Sequence, residues 1–122
     1  MKVTIKNQIY YLSNSSDAIN EITQKLKSFE GEIWIEYTEE IKLCLLLNQE
    51  RIYLMYLNNE DYWTASDESV KDNSLVEEFI LENGQVDEYF LKETLPRKSL
   101  FTIIEKFVTN PSNFMEVISY SK

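Results

Sequence analysis

The first third of the chain changes from a strand-like to a helix-like hydrophobic pattern. Residues 2–12 combine an alternating start with a short apolar run, which predicts a strand or a short hairpin. Polar residues that suit an N-cap follow at 14–16, and apolar residues then recur every three or four positions up to Phe29. This pattern predicts a helix over about residues 16–29, with Gly31 suited to its end.

Three strand-like segments come next, separated by short polar connections. Residues 31–37 alternate apolar and polar side chains, and residues 51–57 are mostly apolar. Residues 41–47 are nearly all apolar, as expected for a central strand that is covered on both faces. The short connections between these segments predict a β-meander.

A polar stretch and a hairpin pattern follow the meander. Residues 57–74 are the most polar segment of the chain and predict a long exposed loop. In residues 75–96, two apolar runs then flank Asn83-Gly84, the dipeptide that most favours a tight hairpin turn. We therefore predict a β-hairpin with a two-residue turn.

Such a turn would mix acidic and apolar side chains on both faces of the hairpin. Glu77 and Glu88 would intrude on a largely apolar face, so we expect them either to lie near an edge or to have a buried partner. A mixed acidic and aromatic strand pair is typical of a surface that binds a cationic protein. The predicted cross-strand pairs are Leu81–Val86, Phe79–Glu88 and Glu77–Phe90 on one face, and Ile80–Asp87 and Glu78–Tyr89 on the other.

The C-terminal part has a helix pattern followed by a strand pattern. Pro96 suits a helix start, and apolar residues then form one stripe through about residue 109. Asn110 and Pro111 predict the end of that helix, and residues 114–120 (FMEVISY) predict a last strand. The order of elements predicts an α+β fold, with a mainly antiparallel sheet of about six or seven strands and two helices packed against it.

Length and composition predict one cytoplasmic domain. The chain has 122 residues, of which 43% are hydrophobic, and we expect residues 1–122 to form a single domain. No segment approaches the roughly 18 apolar residues that a membrane-spanning helix needs, and residues 1–14 lack the pattern of a secretory signal. Cys44 is the only cysteine, which excludes an internal disulfide.

Negative charge is concentrated in one third of the chain. Residues 58–93 contain eleven acidic and two basic residues, and they carry the whole net charge of −9. The rest of the chain contains ten acidic and ten basic residues, so its charges cancel. Such a field repels nucleic acid and anionic membranes and favours a basic protein partner.

The side chains that most catalytic sites require are missing. Histidine is absent, which removes the commonest general base, the usual nucleophile pairs and most zinc sites. The two glycines form no phosphate-binding loop. Carboxylate pairs could still serve metal-dependent or glycosidase-like chemistry, although 21 acidic residues place some pairs close together by chance. We predict no enzymatic activity, no cofactor and no metal.

The candidate site is an acidic, aromatic surface for protein binding. Tyrosine and tryptophan are frequent interface anchors, while carboxylates steer a basic partner. The alternatives are a plainly solvated surface for the carboxylates and a place in the core for Trp63. The predicted partner-binding residues are Glu60, Asp61, Tyr62, Trp63, Asp67, Glu68, Glu77, Glu78, Asp87, Glu88 and Tyr89.

The second half of the sequence resembles a known family. A strand, the turn NGQ, the acidic-aromatic strand VDEYF, the helix TLPRKSLFTIIEKFVTN and a final short strand resemble the first-numbered immunity-protein family of bacterial polymorphic toxin systems. The resemblance covers about residues 70–120. It implies a small cytoplasmic α+β protein that binds and neutralises a cognate toxin, often a nuclease or a nucleic-acid deaminase, and it implies no catalytic residues.

We therefore expect an immunity protein that neutralises a nucleic-acid-targeting toxin with a basic surface, without binding nucleic acid or membrane. One alternative is a DNA mimic or another regulatory inhibitor of a nucleic-acid-binding host protein. Another is a structural or assembly protein from a mobile element, which would self-associate. The sequence leaves the oligomeric state open.

Overall fold

The structure is a computed structural model and describes residues 1–119. The strands, in chain order, are β1 (Lys2–Ile5), β2 (Gln8–Tyr11), β3 (Gly31–Glu36), β4 (Ile41–Leu47), β5 (Arg51–Asn58), β6 (Asp61–Thr64), β7 (Val76–Ile80), β8 (Val86–Phe90) and β9 (Leu95–Pro96). The α-helices in the described residues are α1 (Ser16–Lys25), α2 (Leu100–Thr109) and α3 (Phe114–Ser119). None of the helices in this range is long and apolar enough to cross a membrane.

Within residues 1–119, seven strands form one antiparallel main sheet. Their order is β2-β1-β3-β4-β5-β6, and the short strand β9 also pairs with β5. Strands β7 and β8 form a separate two-stranded sheet. The predicted α+β class, antiparallel sheet and β3–β4–β5 meander are confirmed.

One face of the main sheet packs against the helices. Strand β4 contributes Leu43, Leu45 and Leu47 to this core, and all three side chains are fully buried. The ring of Phe107 on α2 meets that of Phe114 on α3 edge-on, with 5.6 Å between the ring centroids. Burying each such side chain contributes about 1.5–3 kcal/mol, so this layer supplies most of the hydrophobic stabilisation.

The β7–β8 hairpin packs against the opposite face of the main sheet. Phe79 of β7 is fully buried and belongs to one cluster with Cys44, Leu46 and Tyr53. Burial raises the pKa of the Cys44 thiol to about 12, so the thiol stays protonated at neutral pH. Strand β4 is therefore covered on both faces, as its apolar sequence predicted.

The prediction of a long loop over residues 57–74 was wrong in part, because β6 lies inside it. Residues 61–64 pair with residues 55–58 of β5 across a tight turn. Asn59 has a φ of +60°, a left-handed conformation that asparagine adopts more readily than most residues. Its backbone N donates to Glu40 O at 2.8 Å. Local polarity concealed this edge strand.

The predicted last strand is a helix, so the described residues contain three α-helices rather than two. Pro111 begins a 3-10 turn that leads directly into α3. A proline is compatible with this first position because its missing N–H would have no partner there. Phe114 and Ile118 are four residues apart and both buried, which places them on one face of a helix. Tyr120, the last residue of the predicted strand, lies outside the described residues.

Two helix boundaries also differ from the sequence prediction. Helix α1 begins as expected, with Ser15 Oγ accepting from Ala18 N at 3.1 Å, but it ends at Lys25. Its end is tightened because Leu26 N donates to both Ile22 O and Thr23 O. Helix α2 begins only at Leu100, because Pro96 belongs to β9 and residues 97–99 form a 3-10 turn.

Candidate functional site

The turn of the hairpin contains three residues, Glu82, Asn83 and Gly84, rather than two. Leu81 N donates to Gln85 O at 2.8 Å, and Gly84 N donates back to Leu81 O at 2.9 Å. Gly84 has a φ of +85°, which glycine adopts at little cost. This is the three-residue hairpin loop in which a left-handed residue forms a bulge after the turn. The predicted two-residue turn was wrong.

The extra turn residue shifts the register by one position and changes which residues share a face. The predicted mixture of Glu77 and Glu88 on one face was therefore wrong, since these residues lie on opposite faces of the hairpin. The observed cross-strand pairs are Val76–Phe90, Glu77–Tyr89, Glu78–Glu88, Phe79–Asp87 and Ile80–Val86.

The inner face of the hairpin lies against the main sheet, and its acidic residues have internal partners. The ring of Tyr89 stacks on that of Tyr53 with 3.7 Å between centroids. Glu77 Oε1 accepts from Asn48 Nδ2 at 3.0 Å, and Asp87 Oδ2 accepts from Tyr89 Oη at 3.1 Å. Burial, and then the hydrogen bond and charge of Asp87, raise the pKa of Tyr89. These contacts fasten the hairpin to the sheet.

The outer hairpin face consists of exposed side chains that alternate with the inner ones. Its four apolar members are each 41–51% exposed. Its two glutamates, Glu78 and Glu88, are exposed and form no side-chain hydrogen bond or ion pair within residues 1–119. The residues of the outer hairpin face are Val76, Glu78, Ile80, Val86, Glu88 and Phe90.

The two glutamates of this face sit directly opposite each other. Hydrogen bonds from Leu81 N to Gln85 O and from Leu91 N to Leu75 O place hydrogen-bonded pairs at both ends of the ladder. Pairs alternate along an antiparallel ladder, so Glu78–Glu88 is a non-hydrogen-bonded pair, in which the Cα atoms are only about 4.5 Å apart. Like charges at such a position destabilise the hairpin.

Two of the three aromatic residues predicted for the site, Tyr62 and Trp63, lie on edge strand β6, whereas Tyr89 lies on β8. Tyr62 is 67% exposed and Trp63 is 42% exposed, so Trp63 is not part of the core. The Trp63 ring lies 5.7 Å from that of Tyr56 on the helix side of the sheet, and Tyr62, one residue earlier, projects from the other side. Glu60 in the adjacent turn and Asp61 at the start of β6 line one depression together with Glu39 and Glu40.

Asp67 is an internal residue of the structure. Its Oδ2 accepts from Arg51 Nη2 at 2.9 Å, and its Oδ1 accepts from Ser69 N at 3.0 Å. Burial alone would raise the pKa of Asp67, but the hydrogen bonds from Ser69 and Arg51 and the positive charge of Arg51 lower it. The neighbouring Glu68 is exposed and lies 4.0 Å from Lys92 Nζ.

The predicted site residues therefore fall into three places. Residues 60–63 lie at the β6 edge, residues 67–68 lie in the loop after β6, and the remaining five belong to the hairpin, where only Glu78 and Glu88 face outward. The four exposed apolar residues of the outer hairpin face were not predicted as site residues. The stretch Glu82-Asn83-Gly84 could have identified them, because it also fits a three-residue loop, and that loop sets the register that turns these residues outward.

Within residues 1–119, no group of three histidine, cysteine or acidic side chains is placed to hold a metal ion. No protein-family model matches this sequence, and no curated protein matches it either.

Proposed function

We propose that this protein is an immunity protein that binds and neutralises a bacterial toxin acting on nucleic acid. The observation that carries the proposal is the unneutralised charge of residues 58–93. Nine of their eleven acidic residues form no ion pair within residues 1–119. Six of these nine are exposed (residues 60, 61, 72, 78, 82 and 88), and their carboxylates are accessible to the lysine and arginine side chains of a partner.

The proposed mechanism is electrostatic competition. A protein that acts on nucleic acid uses a basic surface to contact phosphate groups. An acidic inhibitor is attracted to the same surface, and its carboxylates form charge-assisted hydrogen bonds with the lysine and arginine side chains there. Bound in this position, the inhibitor excludes the nucleic acid without any catalytic step of its own.

A second candidate is a DNA mimic that inhibits a nucleic-acid-binding host protein. It is favoured by the second acidic group at the β5–β6 turn, where Glu39, Glu40, Glu60 and Asp61 line one depression. With the hairpin, this group would present negative charge at two separate places, as an extended phosphate backbone does. Such a protein would bind its target without protecting cells from any toxin.

Co-expression tests the proposal directly. The gene immediately upstream is expressed in a bacterial host with and without this protein, and growth is measured. We expect the upstream product to stop growth alone and the pair to grow normally, with a complex that copurifies. A toxic upstream product that is neither bound nor neutralised would contradict the proposal, and binding to a host nucleic-acid-binding protein instead would favour the DNA mimic.

A further inference from the structure

We propose that the outer hairpin face is the surface that docks on the toxin, and that it receives one arginine or lysine side chain flanked by apolar side chains. This inference rests on the proposed function and names the contact surface and the chemistry of its occupant. It assigns the central role to Glu78 and Glu88, with the pairs Val76–Phe90 and Ile80–Val86 on either side.

The outer hairpin face carries two features that a free protein would be more stable without. Its opposed glutamates repel each other across the closest type of strand pair, although a lysine at either position would form a favourable pair. Its four apolar side chains remain about half exposed. Neither feature helps to seat the hairpin, because Phe79 and Tyr89 on the inner face make that contact.

A cation flanked by apolar groups would neutralise the two glutamates and cover the exposed apolar side chains at the same time. A guanidinium group presents a planar set of donors that can bond two carboxylates, and the short separation across the Glu78–Glu88 pair lets both reach the same cation. The apolar pairs on either side would cover the alkyl part of the side chain and exclude water. Charged hydrogen bonds surrounded by such contacts are typical of interface hot spots.

The negative charge of this face also disfavours binding of a second copy of this chain or of nucleic acid. A second copy of this chain would bring four glutamates together, and nucleic acid would bring further negative charge. The β6 edge offers exposed aromatic residues, but Tyr62 and Trp63 project from opposite sides of the sheet. The outer hairpin face, by contrast, places four exposed apolar side chains and two unpaired carboxylates on one face.

Binding to the upstream toxin, with two matched double variants, tests the surface. Glu78→Lys/Glu88→Lys reverses two charges on the hairpin, and Glu60→Lys/Asp61→Lys makes the same change in net charge at the β5–β6 turn. We expect the hairpin variant to lose at least 100-fold in affinity, mainly through faster dissociation. The control should lose no more than about 10-fold, mainly through slower association, as rim charges do.

The melting temperature of the free protein gives a second test. If the two glutamates had only a structural role, replacing one of them should not raise it. Glu88→Lys places a lysine opposite Glu78 and should raise the melting temperature by about 1–4 °C, because repulsion becomes attraction. The same single variant should weaken toxin binding at least 10-fold. A lower or unchanged melting temperature would contradict the view that the pair is retained at a cost to stability.

The outcomes separate this inference from the proposed function. Tight binding of the hairpin variant, with loss in the control, would overturn the hairpin surface and leave the immunity function standing. Self-association of the wild-type protein that Glu78→Lys/Glu88→Lys abolishes, measured by light scattering, would also overturn it.

If the wild-type protein fails to bind the upstream product, the proposed function is wrong. A peptide titration then tests whether the outer hairpin face binds an arginine flanked by apolar side chains. Acetyl-Leu-Arg-Leu-amide, added at millimolar concentration, should shift the amide resonances of residues 76–80 and 86–90. Shifts confined to residues 60–64, or no shifts at all, would overturn the inference.

Discussion

At the scale of single residues, Arg51 of β5 joins the segments before and after the hairpin to the main sheet. Its Nη2 donates to Asp67 Oδ2 at 2.9 Å and to Thr94 O at 2.8 Å, and its Nε donates to Thr94 Oγ1 at 2.8 Å. Asp67 N also donates to Lys92 O at 2.7 Å, which links the chain entering the hairpin with the chain leaving it. A buried charge network of this kind makes each member costly to remove.

Replacing Asp67 with asparagine should destabilise the protein at neutral pH by about 1.5–3 kcal/mol, because Arg51 loses its charged acceptor. The pKa of Asp67 is lower in the folded protein than its ordinary value of 3.8, so its stabilisation is present above pH 3.8 and is lost as pH falls through the folded value. The difference from wild type, measured by urea unfolding, should therefore shrink below pH 3.8.

Asp72→Asn is the matched control for this prediction. Asp72 accepts from the amide and hydroxyl of Ser74 just as Asp67 accepts from those of Ser69, but Asp72 is exposed and forms no ion pair within residues 1–119. Its replacement should change stability much less. Equal losses for the two variants would mean that the serine hydrogen bonds, and not Arg51, stabilise the loop.

At the scale of elements, the hairpin is a unit held by its inner face and shaped by its turn. Phe79 and Tyr89 bind it to the main sheet, and Asn48 bonds both the Glu77 carboxylate and Glu78 O from the β4–β5 turn. The turn then determines the register, and the register determines which carboxylates face outward. The position of Gly84 is therefore important for binding as well as for folding.

Gly84→Ala should destabilise the hairpin by about 1 kcal/mol, because a side chain disfavours the left-handed conformation. Apart from its two chain neighbours, no residue comes within 4 Å of a Cβ built at this position, so the cost is conformational and not steric. Hydrogen exchange should show faster exchange in β7 and β8 than in β4. Gly84→Asn should cost less, since asparagine tolerates φ > 0, and an equal cost for both would contradict this explanation.

At the scale of the whole molecule, the negative charge acts over a longer range than any single contact. The basic and acidic residues outside 58–93 cancel, so the field of the molecule comes from the hairpin and the β5–β6 turn with the adjoining loop. Their exposed carboxylates include Glu78 and Glu88 on the outer hairpin face and Glu60 and Asp61 at the β6 edge. A basic partner is attracted before it makes any contact.

Raising the salt concentration from 50 to 500 mM should therefore slow association with the toxin by about 10–100-fold and change dissociation much less. Stopped-flow fluorescence of the two tryptophans, Trp34 and Trp63, can follow both rates. The Glu60→Lys/Asp61→Lys variant should show a weaker salt dependence than wild type. Association that is independent of salt would show that the acidic field does not guide binding.

Several elements were predictable because their sequence signals are local. The apolar run of β4 and the stripe of α2 each identify an element without knowledge of its neighbours. The last segment was predicted wrongly because Phe114–Ser119 is short enough to fit either an alternating or a helical pattern, and Pro111 decides between them. Strand β6 was missed because an exposed edge strand needs few apolar residues.

The sequence by itself determined the class of fold, most of the elements and the charge of residues 58–93, because local periodicity and the sum of charges do not depend on how the chain packs. Only the tertiary structure decided which acidic residues are free. Asp67 is paired because Arg51, sixteen positions away, meets it across the loop. Glu78 and Glu88 face outward because one extra turn residue and the seating of Phe79 and Tyr89 against β4 and β5 select the register.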